Sequence, residues 1–248
     1  MPTPDAQPVA LVTGAAQRIG ATIARTLHAA GYAVALHYRH SAADAAALAA
    51  ELEARRAHST LLLPAELTDV AALPALIGTL LAHYGRLDAL VNNASTYYAT
   101  PLGEATALQW DELFGANARA PFFLSQAAAP ALRRAGGAIV NIADIYAERP
   151  LPMHTLYCMS KAALVMLTRS LAVELGPEIR VNAIAPGNIL WSTNPVKAET
   201  PAMVTQRTTL ARQGSPQEIA DAVLYLLRDA HYCSGVVLPV DGGRLLHV

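Results

Sequence analysis

Cysteine is scarce in this chain, with two residues, Cys158 and Cys233, in 248. They form no C-x-x-C pair and no spaced framework, which favours structural thiols over a disulfide scaffold or a zinc site. Charge is scarce too. Asp, Glu, Lys and Arg make up 15% of the residues, the formal net charge is -1, and no lysine or arginine block stands out. Nucleic acid is therefore not an expected partner. Long apolar runs are missing, since none approaches the roughly eighteen residues of a membrane span. The opening Met-Pro-Thr-Pro-Asp-Ala-Gln lacks the positive start and apolar core of a secretory signal, so no membrane association and a cytoplasmic location are expected. The eight histidines are scattered. The closest pair, His37 and His40, ends an extended run instead of sharing a helical face, so no metal site is expected.

Apolar side chains are abundant, at 53% of the residues, enough for an extensive interior and a buried subunit interface. Runs rich in valine, leucine and isoleucine recur at Val9–Val12, Ala33–Tyr38, Thr60–Leu63, Leu87–Val91, Ala138–Ile142, Ile179–Ile184 and Val236–Val240. Alanine- and leucine-rich helical stretches lie between them, among them Ile19–Ala30, Ala42–Arg56, Val70–Tyr84, Leu156–Leu175 and Pro216–Arg228. Continuous apolar strands alternating with helices predict an α/β fold, a doubly wound parallel sheet of about seven strands covered on both faces. No Pro/Gly/Ser linker divides the chain, so residues 1–248 read as one domain. The stretch 188–209, carrying Trp191, Ser192, Asn194 and Pro195, fits neither element cleanly. It follows a strand's carboxyl end, where a segment of that length is expected to be a substrate lid.

Val9–Val12 leads into Thr13-Gly14-Ala15-Ala16-Gln17-Arg18-Ile19-Gly20 and then a helix. Strand, glycine turn and helix in that order make a Rossmann-type dinucleotide site: Gly14 permits the tight turn, Gly20 permits close packing, and helix-start N–H groups face a pyrophosphate. A plain βα turn is the alternative. The second strand ends in His37-Tyr38-Arg39-His40-Ser41, with no acid for a ribose 2'-hydroxyl. Arg39 and Ser41, helped by Arg18, are placed to bind a 2'-phosphate, which favours NADPH over NADH.

Tyr157 and Lys161 stand at i and i+4 of a helix, on one face. The ammonium is expected to lower the phenol's pKa and make it a general acid. Asp144 precedes the tyrosine by thirteen residues. As a side chain it serves either as a carboxyl relay or as a cap on the turn that follows.

Thr13-Gly14 with Gly20, Asn92-Asn93-Ala94, Asn117, Tyr157-x-x-x-Lys161 and Pro186-Gly187 together resemble the short-chain dehydrogenase/reductase family along essentially the whole chain. The resemblance implies that Tyr157 protonates the reacting group, that Lys161 tunes it and holds the nicotinamide ribose, and that Asn117 helps position Lys161 and a water. Asn93, Ala94, Pro186 and Gly187 would line the cofactor, with Glu66 and Leu67 near the adenine and Ile19 in the phosphate turn. Two departures are informative: Arg18 stands where the family's turn has a glycine, and Asp144 where it has a catalytic serine. Both resemble pteridine reductases, as do His37–Ser41, Asn92–Tyr97 and Asp241-Gly242-Gly243-Arg244. That subfamily implies a pterin or folate substrate touching Arg18, Ser95, Tyr97, Asp144, Tyr157 and Trp191, with Tyr97 stacking on the ring. A carboxyl group suits protonation of a ring nitrogen, whereas a serine suits a ketone oxygen. A 3-oxoacyl thioester reductase and a nonenzymatic NADPH sensor are the rival readings, and a homotetramer is expected by resemblance.

Overall fold

The computed structural model describes residues 7–189 and 200–247. Its strands are β1 (Val9–Val12), β2 (Ala33–Tyr38), β3 (Thr60–Pro64), β4 (Ala89–Asn92), β5 (Ala138–Ile142), β6 (Arg180–Pro186) and β7 (Val237–Val240). The helices are α1 (Arg18–Ala29), α2 (Ala42–Glu53), α3 (Leu73–Tyr84), α4 (Ala107–Phe114), α5 (Ala120–Ala135), α6 (Thr155–Leu175), α7 (Pro201–Gln206) and α8 (Pro216–Arg228). The seven strands form one sheet in the order β3-β2-β1-β4-β5-β6-β7, and every pairing is parallel. Winding reverses between β1 and β4, which opens a crevice at their carboxyl ends. The expected doubly wound α/β architecture is the observed one.

Successive strand residues point to opposite faces and fill two cores. Ala10 and Val12 of β1 pack with Ile23 and Leu27 of α1, Leu52 of α2 and Val223 of α8. Val9 and Leu11 pack on the other face with Leu76 and Leu80 of α3 and Leu124 and Leu132 of α5. Burial on both faces is why these strands are continuously apolar. Leu11 and Leu90 are fully buried, and truncating either to alanine costs about 2–5 kcal/mol.

Several element ends differ from the sequence reading for local reasons. The helix expected to reach Arg56 stops at Glu53, whose carboxylate accepts the N–H groups of His58, Ser59 and Thr60 at 2.7, 2.9 and 2.7 Å and turns the chain into β3. The helix expected over Val70–Tyr84 divides into a 3-10 turn, Val70–Ala72, and α3, which has Pro74 in its first turn. Proline suits that place because its missing N–H has no intrahelical partner there. Trp191, Ser192, Asn194 and Pro195 lie outside the described residues, with the rest of 190–199 of the expected lid. Its C-terminal part contains α7, capped by Thr200 Oγ1 accepting Met203 N at 3.3 Å.

Helix α6 is long and apolar enough to cross a membrane by length and composition alone. Tyr157, Ser160, Lys161, Leu164, Thr168 and Leu171 form its buried face.

Candidate active site

The glycine turn is held from both sides. Gly14 has φ +60°, and the amide of Asn93, just after β4, donates to Thr13 O at 2.8 Å and Gly14 O at 3.1 Å. Thr13 Oγ1 accepts the N–H groups of Asn93 and Ala94 at 2.8 and 2.9 Å. A Cβ on Gly20 would lie 2.1 Å from Gly14 O, so only glycine allows α1 to start this close to the turn. Gln17 N-caps α1 without a side-chain bond, and its amide goes to Asp44 Oδ2 at 2.6 Å. The first-turn N–H groups are thus left to a ligand. Arg18 has φ +52°, the left-handed region that explains why a glycine is usual there. Strain of that kind persists where the site requires the side chain.

A cavity of about 940 Å³ opens over these residues, at the upper end of small-molecule sites. Gly14, Arg18, Ile19 and Gly20 form its floor, His37, Tyr38, Arg39, His40 and Ser41 one wall, Glu66 and Leu67 another, and Asn93, Ala94 and Ser95 the side toward β4. Arg39 Nε donates to His40 Nε2 at 2.6 Å and pairs with Glu66 Oε2 at 3.1 Å. Burial works to raise the Glu66 carboxyl, but the Thr68 N–H and hydroxyl, at 3.0 and 2.7 Å, and the Arg39 charge hold it below the ordinary range. Ser41 N-caps α2 without spending its hydroxyl there. An uncapped helix start, a glycine cradle and a cation beside a free hydroxyl fit a phosphorylated dinucleotide. Pro186 and Gly187 are not among the residues lining this cavity. They close β6 beside β7, where a Cβ on Gly187 would lie 2.7 Å from Asp241 Cα.

The reactive side chains meet over β4, β5 and β6, beyond that cavity. Asp144 follows β5 in extended conformation and uses both carboxylate oxygens. Its Oδ1 accepts Tyr146 N at 2.9 Å, capping a 3-10 turn, and its Oδ2 accepts the Tyr157 hydroxyl at 2.6 Å. Lys161 Nζ donates to Ile142 O at 2.9 Å and sits 5.8 Å from the Tyr157 ring centroid. Burial takes Lys161 down to about 8, opposed by the Asp144 charge. Burial pushes Asp144 up against the opposing Tyr146, Tyr157, Lys161 and Arg244.

Tyr157 corrects the sequence reading. Its phenol is driven well above its ordinary range, first by burial and then by the Asp144 charge. A phenolate would place a second anion beside the carboxylate, so Tyr157 is held protonated as a hydrogen-bond donor.

Residues 14–244 match the family model described as Enoyl-(Acyl carrier protein) reductase. Pteridine reductase 1 of Leishmania tarentolae is 40% identical, with 99% of each chain aligned. Granaticin polyketide synthase putative ketoacyl reductase 2 of Streptomyces violaceoruber is 41% identical over 96% of each chain. A 3-oxoacyl-(acyl-carrier-protein) reductase of Staphylococcus aureus is 35% identical over 96% of this chain and 98% of its own. The chain belongs to the short-chain dehydrogenase/reductase family. It is an oxidoreductase, and reductases of this family use a nicotinamide cofactor.

Within this family's framework, Asn117 lies on a π-helical segment, Gly115–Arg119, between α4 and α5. Such bulges often mark functional positions. Its amide donates to Thr96 O at 2.9 Å and Ser160 Oγ at 3.0 Å, and its Oδ1 accepts Ser95 Oγ at 3.0 Å and Thr96 N at 2.9 Å. Asn117 therefore ties the strap after β4 to α6, and its side-chain bonds do not reach Lys161. That strap carries Tyr97, which is half-exposed, stacks on His154 with centroids 4.9 Å apart and 14° between planes, and meets the Tyr157 ring edge-on at 4.7 Å.

Three contributors escaped sequence reading. His154 backs Tyr97 from the residue before α6. A buried ladder beneath the site runs from Asn92 Nδ2 to Asn141 Oδ1 at 2.8 Å and from Asn141 Nδ2 to Thr168 Oγ1 at 2.9 Å, joining β4, β5 and α6. Arg244, noted only within a matching segment, is buried and its charge favours ionised Asp144. Arg149 Nη1 donates to Arg244 O at 2.9 Å, fastening the C-terminal turn to the loop after Asp144. Polar residues inside apolar patterns gave the one signal that would have found the ladder.

Proposed function

We propose that the protein is an NADPH-dependent pteridine reductase that converts dihydropterins to tetrahydropterins. The observation that carries this reading is the buried Tyr157–Asp144 hydrogen bond at 2.6 Å, where a carboxyl group stands in the family's serine position. The similarity to Pteridine reductase 1 over 99% of each chain agrees with it. Bound NADPH supplies the hydride.

Tyr157 gives its hydroxyl proton to the reacting ring nitrogen, and the Asp144 carboxyl, protonated from solvent, returns a proton to the phenolate left behind. A carboxyl raised by burial keeps a proton closer to neutral pH than an exposed one, so it serves as the reservoir for a ring nitrogen. Lys161, fixed on Ile142 O, offers its charge to the nicotinamide ribose. The half-exposed ring of Tyr97 offers a face for the pterin. Arg39 and Ser41 support a preference for the 2'-phosphorylated cofactor.

A 3-oxoacyl thioester reductase is the second reading, favoured by the two ketoacyl-type relatives at 41% and 35% identity. Steady-state oxidation of NADPH with dihydrobiopterin, dihydromonapterin and dihydrofolate, beside an acyl thioester and simple ketones, separates them. Turnover with a dihydropterin is expected, and turnover confined to ketones or thioesters would overturn the pterin reading. A Tyr157→Phe variant equal to wild type in every assay would point to a nonenzymatic NADPH sensor instead. The oligomer proposed is a homotetramer, tested by mass in solution, and the compartment proposed is the cytoplasm.

A further inference from the structure

His37 is the penultimate residue of β2, with 2% of its surface exposed. Both its ring nitrogens and its carbonyl are engaged. Gly14 N donates to His37 Nδ1 at 3.1 Å, and Ala15 N donates to His37 O at 2.8 Å. His37 Nε2 lies 3.2 Å from Ala65 O, just past β3. A backbone N–H can only donate, so Nδ1 must present a lone pair, and a carbonyl can only accept, so Nε2 must carry the proton. One neutral tautomer satisfies both contacts.

The turn's first backbone groups are divided among three residues. The Thr13 amide goes to Val91 O of β4, those of Gly14 and Ala15 go to His37, and the carbonyls of Thr13 and Gly14 go to Asn93. The N–H groups left for a ligand are those further on, where α1 begins.

We propose that His37 is a positioning residue for the dinucleotide turn: its neutral, Nε2-protonated ring holds the Gly14 amide and keeps the turn in the shape that binds cofactor phosphate. Protonating Nδ1 would set an N–H against the Gly14 N–H and release the turn. Burial lowers the ring's tendency to protonate, opposed by the Ala65 carbonyl and by the Glu66 charge beyond β3. The turn presents only the uncharged Thr13, Gly14 and Ala15 to it, and the cation on its own strand end, Arg39, is engaged with Glu66 and His40 in an exposed cluster. The device is therefore intact at neutral pH and lost in acid.

The inference rests on the dinucleotide reading of the cavity, and its test separates the two. Dissociation constants for NADPH and NADH are measured by cofactor fluorescence on wild type, His37→Leu and His37→Asn. Leucine strands the buried Gly14 donor, and at least about tenfold weaker binding is expected. Asparagine puts an oxygen where Nδ1 stood and does not titrate, so it should restore most of that loss. With NADH, which has no 2'-phosphate to titrate, wild type should bind more weakly at about pH 5 than at about pH 8, and His37→Asn should not follow it. Ring nitrogen shifts of labelled wild-type protein should report the Nε2–H tautomer. Wild-type affinity in folded His37→Leu, an Nδ1–H tautomer, or equal acid sensitivity in His37→Asn would each overturn the role of His37. If His37→Leu does not fold, the tautomer and the pH comparison decide. Failure of wild type to bind either dinucleotide at any pH would remove the underlying cofactor reading instead.

Discussion

Tyr157 donates to Asp144 Oδ2 across 2.6 Å, although thirteen residues separate them, because the end of β5 and the first turn of α6 meet at the carboxyl edge of the sheet. Both partners are buried, and burial pushes both the carboxyl and the phenol above their ordinary ranges. Asp144→Asn preserves shape and removes the reservoir. With a dihydropterin, kcat is expected to fall by about 10²- to 10⁴-fold, while Asp144→Ser should favour ketones over pterins. In wild type, kcat/KM should decline as pH rises through the elevated carboxyl pKa, and Asp144→Asn should lose that limb. The native state keeps this proton longer than the unfolded chain, whose ordinary value is 3.8, so the same ionisation lowers stability as pH rises above it. A pH profile unchanged by Asp144→Asn would take the carboxyl out of the chemistry.

Lys161 gives a second limb. Its ammonium is fully buried and brought down to about 8, so its charge fades in mild alkali. Activity should drop above pH about 8, and Lys161→Arg, which stays charged, should abolish that limb even where its absolute rate is lower. The unfolded lysine titrates near 10.5, so the native state sheds its proton first and this group's cost to stability is relieved between about 8 and 10.5. Kinetic profiles of the two proteins, read beside urea midpoints across the same range, check both statements.

Arg39 is tied to Glu66 at 3.1 Å in an exposed pair, too solvated to matter for stability. Its effect should be on cofactor choice. Arg39→Asp places a carboxylate against Glu66 and against a 2'-phosphate, and the NADPH to NADH ratio of kcat/KM should fall by about tenfold or more. An unchanged ratio would remove Arg39 from cofactor selection.

Gly20→Ala puts a methyl group 2.1 Å from Gly14 O and 2.6 Å from Asn93 Nδ2. The first obstacle is backbone, so α1 must move. A loss of about 1–3 kcal/mol is expected from overpacking, visible as a lower Tm, with cofactor affinity falling in parallel. A Gly20→Ala protein with wild-type Tm and cofactor Kd would contradict the close approach.

The sheet was legible because seven apolar runs sit in strands covered on both faces, and burial on both sides writes itself into composition. The glycine turn, the Tyr157–Lys161 pair and the register to Asp144 were legible because each is local or at fixed spacing. The errors came where one group's behaviour depends on distant neighbours. The direction of the Tyr157 shift was misread because i,i+4 spacing brings Lys161 to the phenol's face but says nothing about a carboxylate from β5 or about burial. Asn117 was placed correctly in the chain, but its partners on the β4 strap and on Ser160 are set by a π-helical turn that no local pattern announces.

By itself the sequence determined the order of strands and helices, the glycine turn of Thr13–Gly20, and the titratable residues that are candidates for the chemistry. Those depend on periodicity, on glycine's conformational freedom and on side-chain type, all of which are written locally. The tertiary structure alone decided the proton's location, the tautomer required of His37, and the placement of His154, Arg244 and the Asn92–Asn141–Thr168 ladder. Each follows from burial and from hydrogen bonds between residues far apart in the chain, and such contacts exist only after the strands have been ordered in one sheet.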